Sequence, residues 1–265
     1  TIKNQLLDYN IANETIVSTH IFWPKTIAKM SIDEFNAKVV GQKILSITRR
    51  AKYLVFRLEN YDLVIHLRMT GQFSISKNLP TTTTHQRAAI GFKDRYLIFN
   101  DVRKFGRWEL VKDYKEHLKH IGLEPLSKLF DTKYLKTLLN KHQMAIKPLL
   151  LNQKKIAGIG NIYADESLWM SHINPKRISN TLNDCEIELL RKNIQVVLKN
   201  AIAKKGSSLG SNKSNYRSVS GITGKFQNSF NVYGQEGKSC KNCSSAIKKI
   251  KFAQRGTHFC PNCQK

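Results

Sequence analysis

Four cysteines near the end of the chain constrain its fold more than any other feature. Cys240 and Cys243 form one CxxC pair, and Cys260 and Cys263 form a second pair after sixteen intervening residues. Four thiolates at this spacing can close a tetrahedral shell around Zn²⁺, and the residues between the pairs can form a β-hairpin. The pattern predicts a zinc ribbon with one structural Zn²⁺, because a four-thiolate shell leaves no open position for water.

Two disulfide bonds in a secreted protein are the alternative interpretation of the same cysteines. The sequence has no basic segment followed by an apolar stretch at its start, so no secretory signal is indicated. Paired CxxC motifs in intracellular proteins bind metal more often than they form disulfides. The fifth cysteine, Cys185, has no partner by spacing and is predicted to be a small core residue.

The charge of the chain indicates a polyanionic partner. The 265 residues include 44 Lys or Arg against 19 Asp or Glu, a formal net charge of +25. The excess is spread along the sequence, and residues 225–265 contain many basic residues but a single acid, Glu236. Nucleic acid is favoured over a membrane, since no apolar run reaches the ~18 residues of a spanning helix.

Hydrophobic periodicity divides the chain into three predicted domains, so the expected fold class is α+β and multidomain. Residues 1–113 combine a short helix over 2–10 with period-two strands, which indicates an antiparallel β-sandwich or barrel. Residues 114–224 are mainly helical, and residues 225–265 form the zinc module. The predicted strands cover 39–47, 53–58, 63–69, 88–92 and 96–99. The predicted helices cover 131–142, 145–153, a segment ending near 172, and 184–204.

Asn183 followed by Glu186 resembles a capping box at the start of the last of these helices. Residues 207–224 are rich in Ser, Gly and Asn, and this composition favours a mobile loop.

Three short motifs are candidates for binding chemistry, and each has a simpler structural interpretation. The glycines of Gly158-Ile159-Gly160-Asn161 could let backbone N–H groups approach a phosphate, or they could merely connect two helices. The basic run RRAKY at 49–53 could be a solvated face. In DVRKFG at 101–106, Phe105 could wedge into a base stack while Arg103 bonds a base, or it could be a core residue. Met69, taken alone, is typical of a core position.

Taken together, these stretches resemble the formamidopyrimidine-DNA glycosylase family, bacterial enzymes that remove 8-oxoguanine and ring-opened purines from DNA. The resemblance covers nearly the whole chain. The matching segments are RRAKY (49–53), HLRMTG (66–71), DVRKFGRW (101–108), GLEPL (122–126), AIKPLLLNQKKIAGIGNIYADE (145–166), FQNSFNVYG (226–234) and 253–263 around the second cysteine pair. RRAKY and GLEPL are closer to this family than to its relative endonuclease VIII, which prefers oxidised pyrimidines.

The resemblance implies a β-sandwich, a helix–two-turn–helix domain and a zinc ribbon, with double-stranded DNA held in a cleft between the lobes. It implies glycosylase activity on oxidised purines, followed by AP lyase (β,δ-elimination) chemistry through a Schiff base. Abasic sites are also expected substrates. A monomer in the bacterial cytoplasm or nucleoid is expected.

The resemblance also implies roles for individual residues. Lys52 matches a hairpin lysine that contacts phosphate and assists the chemistry. Met69, Arg103 and Phe105 match the triad that fills the gap left by the extruded nucleotide. The residues that match the family's phosphate-binding and basic positions are Lys154, Asn161 and Arg255. Residues 207–224 match the loop that caps the flipped base, although 210–214 look inserted and Asn215 stands where the family usually has Asp.

The family nucleophile is an N-terminal proline followed by a glutamate, and neither residue is present in this sequence. Thr1 aligns roughly seven residues into the family pattern, so we expect a truncated or incomplete chain, with a natural inactive paralogue as the alternative. Little activity is expected from this polypeptide, although the amine of Thr1 or Lys52 is chemically able to form a Schiff base. A non-catalytic binder of damaged or abasic DNA is the second hypothesis.

Overall fold

The computed structural model describes residues 1–80, 84–208, 219 and 223–265. The chain forms two compact units. Unit 1 comprises Thr1–Lys119 and Lys205–Lys225, and unit 2 comprises His120–Lys204 and Phe226–Lys265. The division into three domains, 1–113, 114–224 and 225–265, remains a prediction, because the two units do not test it. Within the described ranges, no helix has the length and apolar character that crossing a membrane requires.

Unit 1 contains two four-stranded antiparallel sheets. The strands are β1 (Ser18–Ile21), β2 (Ile44–Arg50), β3 (Tyr53–Leu58), β4 (Asp62–His66), β5 (Gly71–Ser76), β6 (Gln86–Gly91), β7 (Tyr96–Asp101) and β8 (Arg107–Val111). One sheet has the order β2-β3-β4-β8 and the other β1-β6-β7-β5. Among the described residues, three short helices accompany the sheets: α1 (Ile2–Asp8), α2 (Ile32–Val39) and α3 (Tyr114–His117).

The core of unit 1 is aromatic at its centre. Phe73, Phe99 and Trp108 are buried, with ring centroids 5.4 to 6.2 Å apart. Aliphatic residues of both sheets complete one continuous cluster, as period-two strands with one buried face require. This arrangement confirms the predicted antiparallel fold class.

The strand predicted over 39–47 is wrong in its first part, because β2 begins only at Ile44 and Val39 is the last residue of α2 (Ile32–Val39). The N-cap of α2, Ser31, accepts a hydrogen bond from the Glu34 N–H at 3.1 Å. Phe35 and Val39 lie four residues apart and are both buried, so one helical face covers the core. Val39 therefore ends a helix, and residues 40–43 connect that helix to β2.

Unit 2 begins with four helices that enclose a second apolar cluster: α4 (Thr132–Asn140), α5 (Ile146–Leu151), α6 (Asn161–Met170) and α7 (Asp184–Ala203). The predicted capping box is confirmed, because Glu186 N–H donates to Asn183 Oδ1 at 2.9 Å and Asn183 N–H donates back to Glu186 Oε2 at 2.8 Å. The prediction for Cys185 is wrong. This residue is exposed on the first turn of α7, because the apolar face of that helix begins at Ile187.

The zinc module of unit 2 contains the predicted hairpin. Strands β9 (Lys248–Phe252) and β10 (Arg255–Phe259) pair antiparallel, with Phe252 opposite Arg255. Ala253 and Gln254 form the two-residue turn, and both have positive φ, 46° and 60°. Such turns match the twist of the strands but normally contain Asn or Gly, so this turn holds non-glycine residues in an unfavourable conformation.

Candidate nucleic-acid interface and zinc centre

The four predicted zinc ligands come together at one point of unit 2. Their sulfur atoms all lie within 4.8 Å of one another, and Cys240 Sγ is 3.8 Å from Cys263 Sγ. A Zn–S bond of about 2.3 Å gives a tetrahedron edge of roughly 3.8 Å, so the cluster fits a single Zn²⁺. The indole N–H of Trp169 donates to Cys240 Sγ at 3.4 Å, an outer contact of the kind that orients a thiolate ligand.

A buried ion pair fixes the hairpin of the zinc module to the helices of unit 2. Lys147 Nζ lies 2.6 Å from Asp165 Oδ1, and the two side chains are 1% and 0% exposed. The same ammonium donates to Gly256 O at 3.0 Å and Thr257 Oγ1 at 2.8 Å. Asp165 Oδ2 accepts the N–H of His258 at 3.0 Å. Burial lowers the pKa of Lys147, and the charge of Asp165 opposes that shift.

The Lys147–Asp165 ion pair holds the hairpin so that Arg255 lies near the first residue of α6. Asn161 opens the helix and donates through Nδ2 to Gly256 O at 2.8 Å, one residue from the exposed Arg255. One amide hydrogen of Asn161 remains, together with the N-terminal N–H groups of α6, for an anionic ligand. A cavity of about 260 Å³ adjoins this point and is lined by Lys147, Pro148, Leu151, Asn152, Phe252, Ala253 and Arg255.

The side chain of Gln153 forms hydrogen bonds to the glycine motif before Asn161. Gly158 has φ +86°, and its N–H donates to Gln153 Oε1 at 2.9 Å. Gln153 Nε2 in turn donates to Ile159 O at 2.9 Å. Gly160 has φ −111°, so only the first of the two glycines uses a positive φ. Lys154 is exposed and lies two residues after Asn152, whose Oδ1 accepts the Lys154 N–H at 3.0 Å.

Met69, Arg103 and Phe105 form an exposed group on unit 1, which we call the wedge. Met69 is 54% and Phe105 51% exposed, so the alternative that they are core residues is wrong. Arg103 Nη1 donates to Met69 Sδ at 3.1 Å, which brings together the loop after β4 and the loop after β7. Met69 and Phe105 are therefore accessible to another molecule, and Arg103 lies beside them.

Lys52 lies at the tip of the hairpin that joins β2 and β3. Arg50 pairs with Tyr53, so Ala51 and Lys52 form a two-residue turn in which Ala51 has φ +53° and Lys52 is exposed. On the neighbouring strand, the imidazole of His66 packs edge-on against the Tyr53 ring, with the two ring centroids 4.7 Å apart. Burial, followed by the charges of Arg68 and Lys52, lowers the pKa of His66 to about 4. This imidazole is therefore neutral at pH 7.

Unusual backbone conformations lie next to the candidate DNA-contacting residues. Lys52 follows Ala51, Met69 follows Arg68, Phe105 follows Lys104 and Arg255 follows Gln254, and all four preceding residues have positive φ. A non-glycine residue in this region costs free energy and is frequent at functional sites. The sequence gives no signal for these conformations, because none of the four residues is Gly, Asn or Asp.

Most of the loop predicted to cap a flipped base lies outside the described residues, including 210–214 and Asn215. Of its described part, Ser207 pairs with Lys225 as an antiparallel bridge. Val219 is buried in the core of unit 1 and donates its N–H to Gln5 Oε1 at 3.2 Å.

Sequence reasoning missed the buried charges that support these sites. Lys147 and Asp165 were not singled out, nor was Glu166, which accepts the N–H groups of Asn231, Val232 and Tyr233 at 2.9 to 3.0 Å. A signal was present in α6, since adjacent acids within the apolar segment IYADESLW must be buried and therefore need partners.

Comparison with family models identifies three matching segments. Residues 1–108 match the formamidopyrimidine-DNA glycosylase N-terminal domain, and residues 121–213 match its H2TH domain. Residues 237–265 match a zinc finger found in FPG and IleRS. The three segments together span most of the chain.

Individual relatives match over nearly their whole length. The formamidopyrimidine-DNA glycosylase of Lactiplantibacillus plantarum is 44% identical, covering 95% of this chain and 92% of the relative. That of Protochlamydia amoebophila is 38% identical, covering 100% and 97%.

Solved structures show the same architecture. A Lactococcus lactis Fpg in complex with DNA containing an abasic site has a TM-score of 0.91 at 38% identity, covering 100% of this chain and 97% of that chain. An L. lactis Fpg mutant bound to DNA containing Fapy-dG has a TM-score of 0.92 at the same identity and coverage. The full-length matches and the cysteine cluster agree, and this chain belongs to the formamidopyrimidine-DNA glycosylase family.

Proposed function

We propose that this protein is a base-excision-repair DNA glycosylase that removes oxidised purines, 8-oxoguanine and formamidopyrimidines, and then acts as an AP lyase on the abasic site. Family membership over the whole chain supports the reaction class. The observation that carries the proposal is the wedge, since two large apolar side chains and one arginine stand exposed together at loop tips.

A wedge is useful to such an enzyme because a base inside a duplex cannot be attacked at C1′. The nucleotide must leave the stack at a cost of about a few kcal/mol. Met69 and Phe105 are apolar groups that can replace the lost stacking, and Arg103 can hydrogen-bond the base left without a partner. Rotation of the nucleotide out of the stack then exposes its sugar to the reaction.

Phosphate contacts hold the strand during this rotation. We assign them to Lys52 in unit 1 and to Lys154, Asn161 and Arg255 in unit 2. Support comes from the Asn161–Gly256 hydrogen bond, which aligns Arg255 with the N-terminus of α6, a favourable site for an anion. Arg255 depends on the zinc module, because its hairpin lies between the two cysteine pairs.

The chemistry requires an amine nucleophile and an acid. The amine nitrogen forms a bond to C1′ while the glycosidic bond breaks, and the departing base takes up a proton. The C1′–O4′ bond then breaks, O4′ takes up a proton, and a Schiff base forms at C1′. This Schiff base permits elimination of the 3′ and then the 5′ phosphate. The proposed nucleophile is an N-terminal proline followed by glutamate, as the family resemblance implies. In this chain, burial and then the charges of Arg49 and Lys3 lower the pKa of the Thr1 amine, which increases its neutral fraction.

Borohydride trapping on a duplex containing 8-oxoguanine tests the proposal. Three proteins are compared: this chain, this chain preceded by the roughly seven residues of a family start that begins Pro-Glu, and that extended chain with Lys52→Met. A covalent adduct with the extended chain is expected, with a much weaker adduct from this chain alone. If the extended chain binds the lesion duplex but gives no adduct, the enzyme proposal is refuted and the non-catalytic binder is supported.

The bacterial relatives and the proposed DNA substrate together support a cellular location. The relatives named above are bacterial proteins. We place this protein in the bacterial cytoplasm or nucleoid and expect it to act as a monomer. Sedimentation of the zinc-loaded chain with and without a lesion duplex checks the oligomeric state.

A further inference from the structure

The two loops that carry the wedge are connected beneath it by polar groups. Met69 lies in the loop between β4 and β5, and Arg103 and Phe105 lie in the loop between β7 and β8. The last residue of β7, Asp101, pairs with the first residue of β5, Gly71. The carboxylate of Asp101 therefore sits where the two loops leave one sheet.

Asp101 bonds to both loops with a single buried side chain. The residue is 1% exposed. Its Oδ2 accepts the N–H of Gly106 at 2.7 Å, and its Oδ1 accepts the hydroxyl of Thr70 and the N–H of Arg103, the latter at 3.3 Å. One carboxylate thus spans the Arg103–Phe105 segment and joins it to the residue after Met69.

Thr70 completes this arrangement. Its hydroxyl donates to Asp101 and its Oγ1 accepts the N–H of Arg103 at 3.1 Å, so both functions of the hydroxyl are used. The backbone of Asp101 is fixed as well, because its carbonyl accepts Arg87 Nε at 2.7 Å from a buried guanidinium. Gly106 permits the close packing, since a Cβ at this position would lie 2.3 Å from Phe99 Cζ.

We infer that Asp101 and Thr70 are positioning residues that hold Met69, Arg103 and Phe105 together as a preformed wedge. The inference rests on the proposed function, in which those three side chains enter the DNA. We call the hydrogen bonds of Asp101 and Thr70 to the two loops the brace. Without the brace, two loops that contain positive-φ residues would have to become ordered when the wedge enters the duplex. Preorganisation removes that entropic cost from binding, and the benefit applies only where the wedge is inserted.

The matched pair Thr70→Val and Thr70→Ser tests the inference in the full zinc-loaded chain. Valine keeps the shape of threonine and removes the hydroxyl, whereas serine keeps the hydroxyl. Affinity is measured for a duplex with a tetrahydrofuran abasic analogue opposite 2-aminopurine and for the undamaged duplex. The 2-aminopurine fluorescence reports insertion of the wedge, and hydrogen exchange at the Arg103 and Gly106 amides reports the brace without DNA.

Thr70→Val should lower affinity for the abasic duplex by about tenfold, the size expected when a buried polar group loses its partner. The fluorescence change should fall in parallel, the Arg103 amide should exchange faster, and affinity for undamaged DNA should stay within about twofold. Thr70→Ser should restore all of these values. Asp101→Asn should act in the same direction, because an NH₂ group replaces one of the two acceptor oxygens and cannot accept a hydrogen bond.

Unchanged exchange at Arg103 in Thr70→Val would overturn the inference. So would an equal loss of affinity for both duplexes, since a general structural defect would not distinguish them. Failure of the proposed function has a different signature. In that case the wild-type chain itself would show no preference for the abasic duplex, while the exchange measurement would still decide whether Thr70 holds the loops.

Discussion

Replacing Lys147 with methionine is the most direct test of how the zinc hairpin is held. The substitution keeps most of the side-chain volume but leaves the carboxylate of Asp165 buried without the lysine ammonium, while the hydrogen bond from the His258 N–H remains. It also removes the Nζ donor from Gly256 O and Thr257 Oγ1. Loss of one partner of a buried pair costs about 3–5 kcal/mol, because the remaining charge cannot be solvated.

The expected consequence is a large, local loss of stability. With roughly 2–4 °C per kcal/mol, a loss of about 3–5 kcal/mol should lower the melting temperature of unit 2 by about 6–20 °C. Scanning calorimetry of the zinc-loaded chain measures this shift, and hydrogen exchange across β9 and β10 should show faster opening of the hairpin. Affinity for DNA should fall as well, because Arg255 belongs to that hairpin.

Two variants make the result specific. Lys136→Met removes a pair of similar length, 2.7 Å, whose side chains are 46% and 71% exposed, so it should cost less than about 1 kcal/mol. The double variant Lys147→Met with Asp165→Asn should recover part of the loss, since no uncompensated charge remains. If Lys147→Met melts within about 3 °C of the wild type, as Lys136→Met should, the reasoning about the buried pair is refuted.

Three further results are expected. Chelation of zinc, or Cys260→Ser, should unfold the zinc module and weaken DNA binding, whereas Cys185→Ser should do neither. Full DNA affinity without metal would contradict a structural role for the zinc. DNA affinity should fall steeply as the salt concentration rises. Arg255→Gln should reduce the slope of log association constant against log salt concentration by about one. An affinity that does not change with salt would exclude phosphate-dominated binding. Because the folded-state pKa of His66 is about 4 against about 6.5 unfolded, the unfolded state binds more protons between these values. Stability should therefore decline as pH falls from about 6.5 to about 4, and His66→Gln should lessen that decline; identical pH profiles of wild type and variant would contradict it.

Local sequence patterns predicted the elements whose causes are local. The strand expected over 53–58 corresponds to β3 at both ends, and the capping box at Asn183 has the geometry its spacing indicates. The cysteine pairs predicted both the hairpin and the convergence of four sulfurs. In each case the determining residues lie close together in the chain, so a short stretch of sequence contains the whole reason.

Features that depend on distant contacts were not predictable in this way. Lys147 and Thr257 are separated by 110 positions, and Asp101 and Thr70 by 31. No periodicity indicates which buried charges will meet when two such segments pack. The motif at 101–106 made Arg103 and Phe105 candidates, and resemblance to a family added Met69. Only the structure revealed the carboxylate of Asp101 and the hydroxyl of Thr70 beneath them.

Unit 1 is built from two separate stretches of the chain, and this has a consequence for biosynthesis. Val219 packs into the same apolar cluster as Leu6 and Ile11, although most of unit 2 is encoded between them. A ribosome that has released only the first 119 residues has therefore not yet delivered a piece of that cluster. Nascent-chain proteolysis should detect a late gain in protection of the amino-terminal half, once residue 225 has left the exit tunnel.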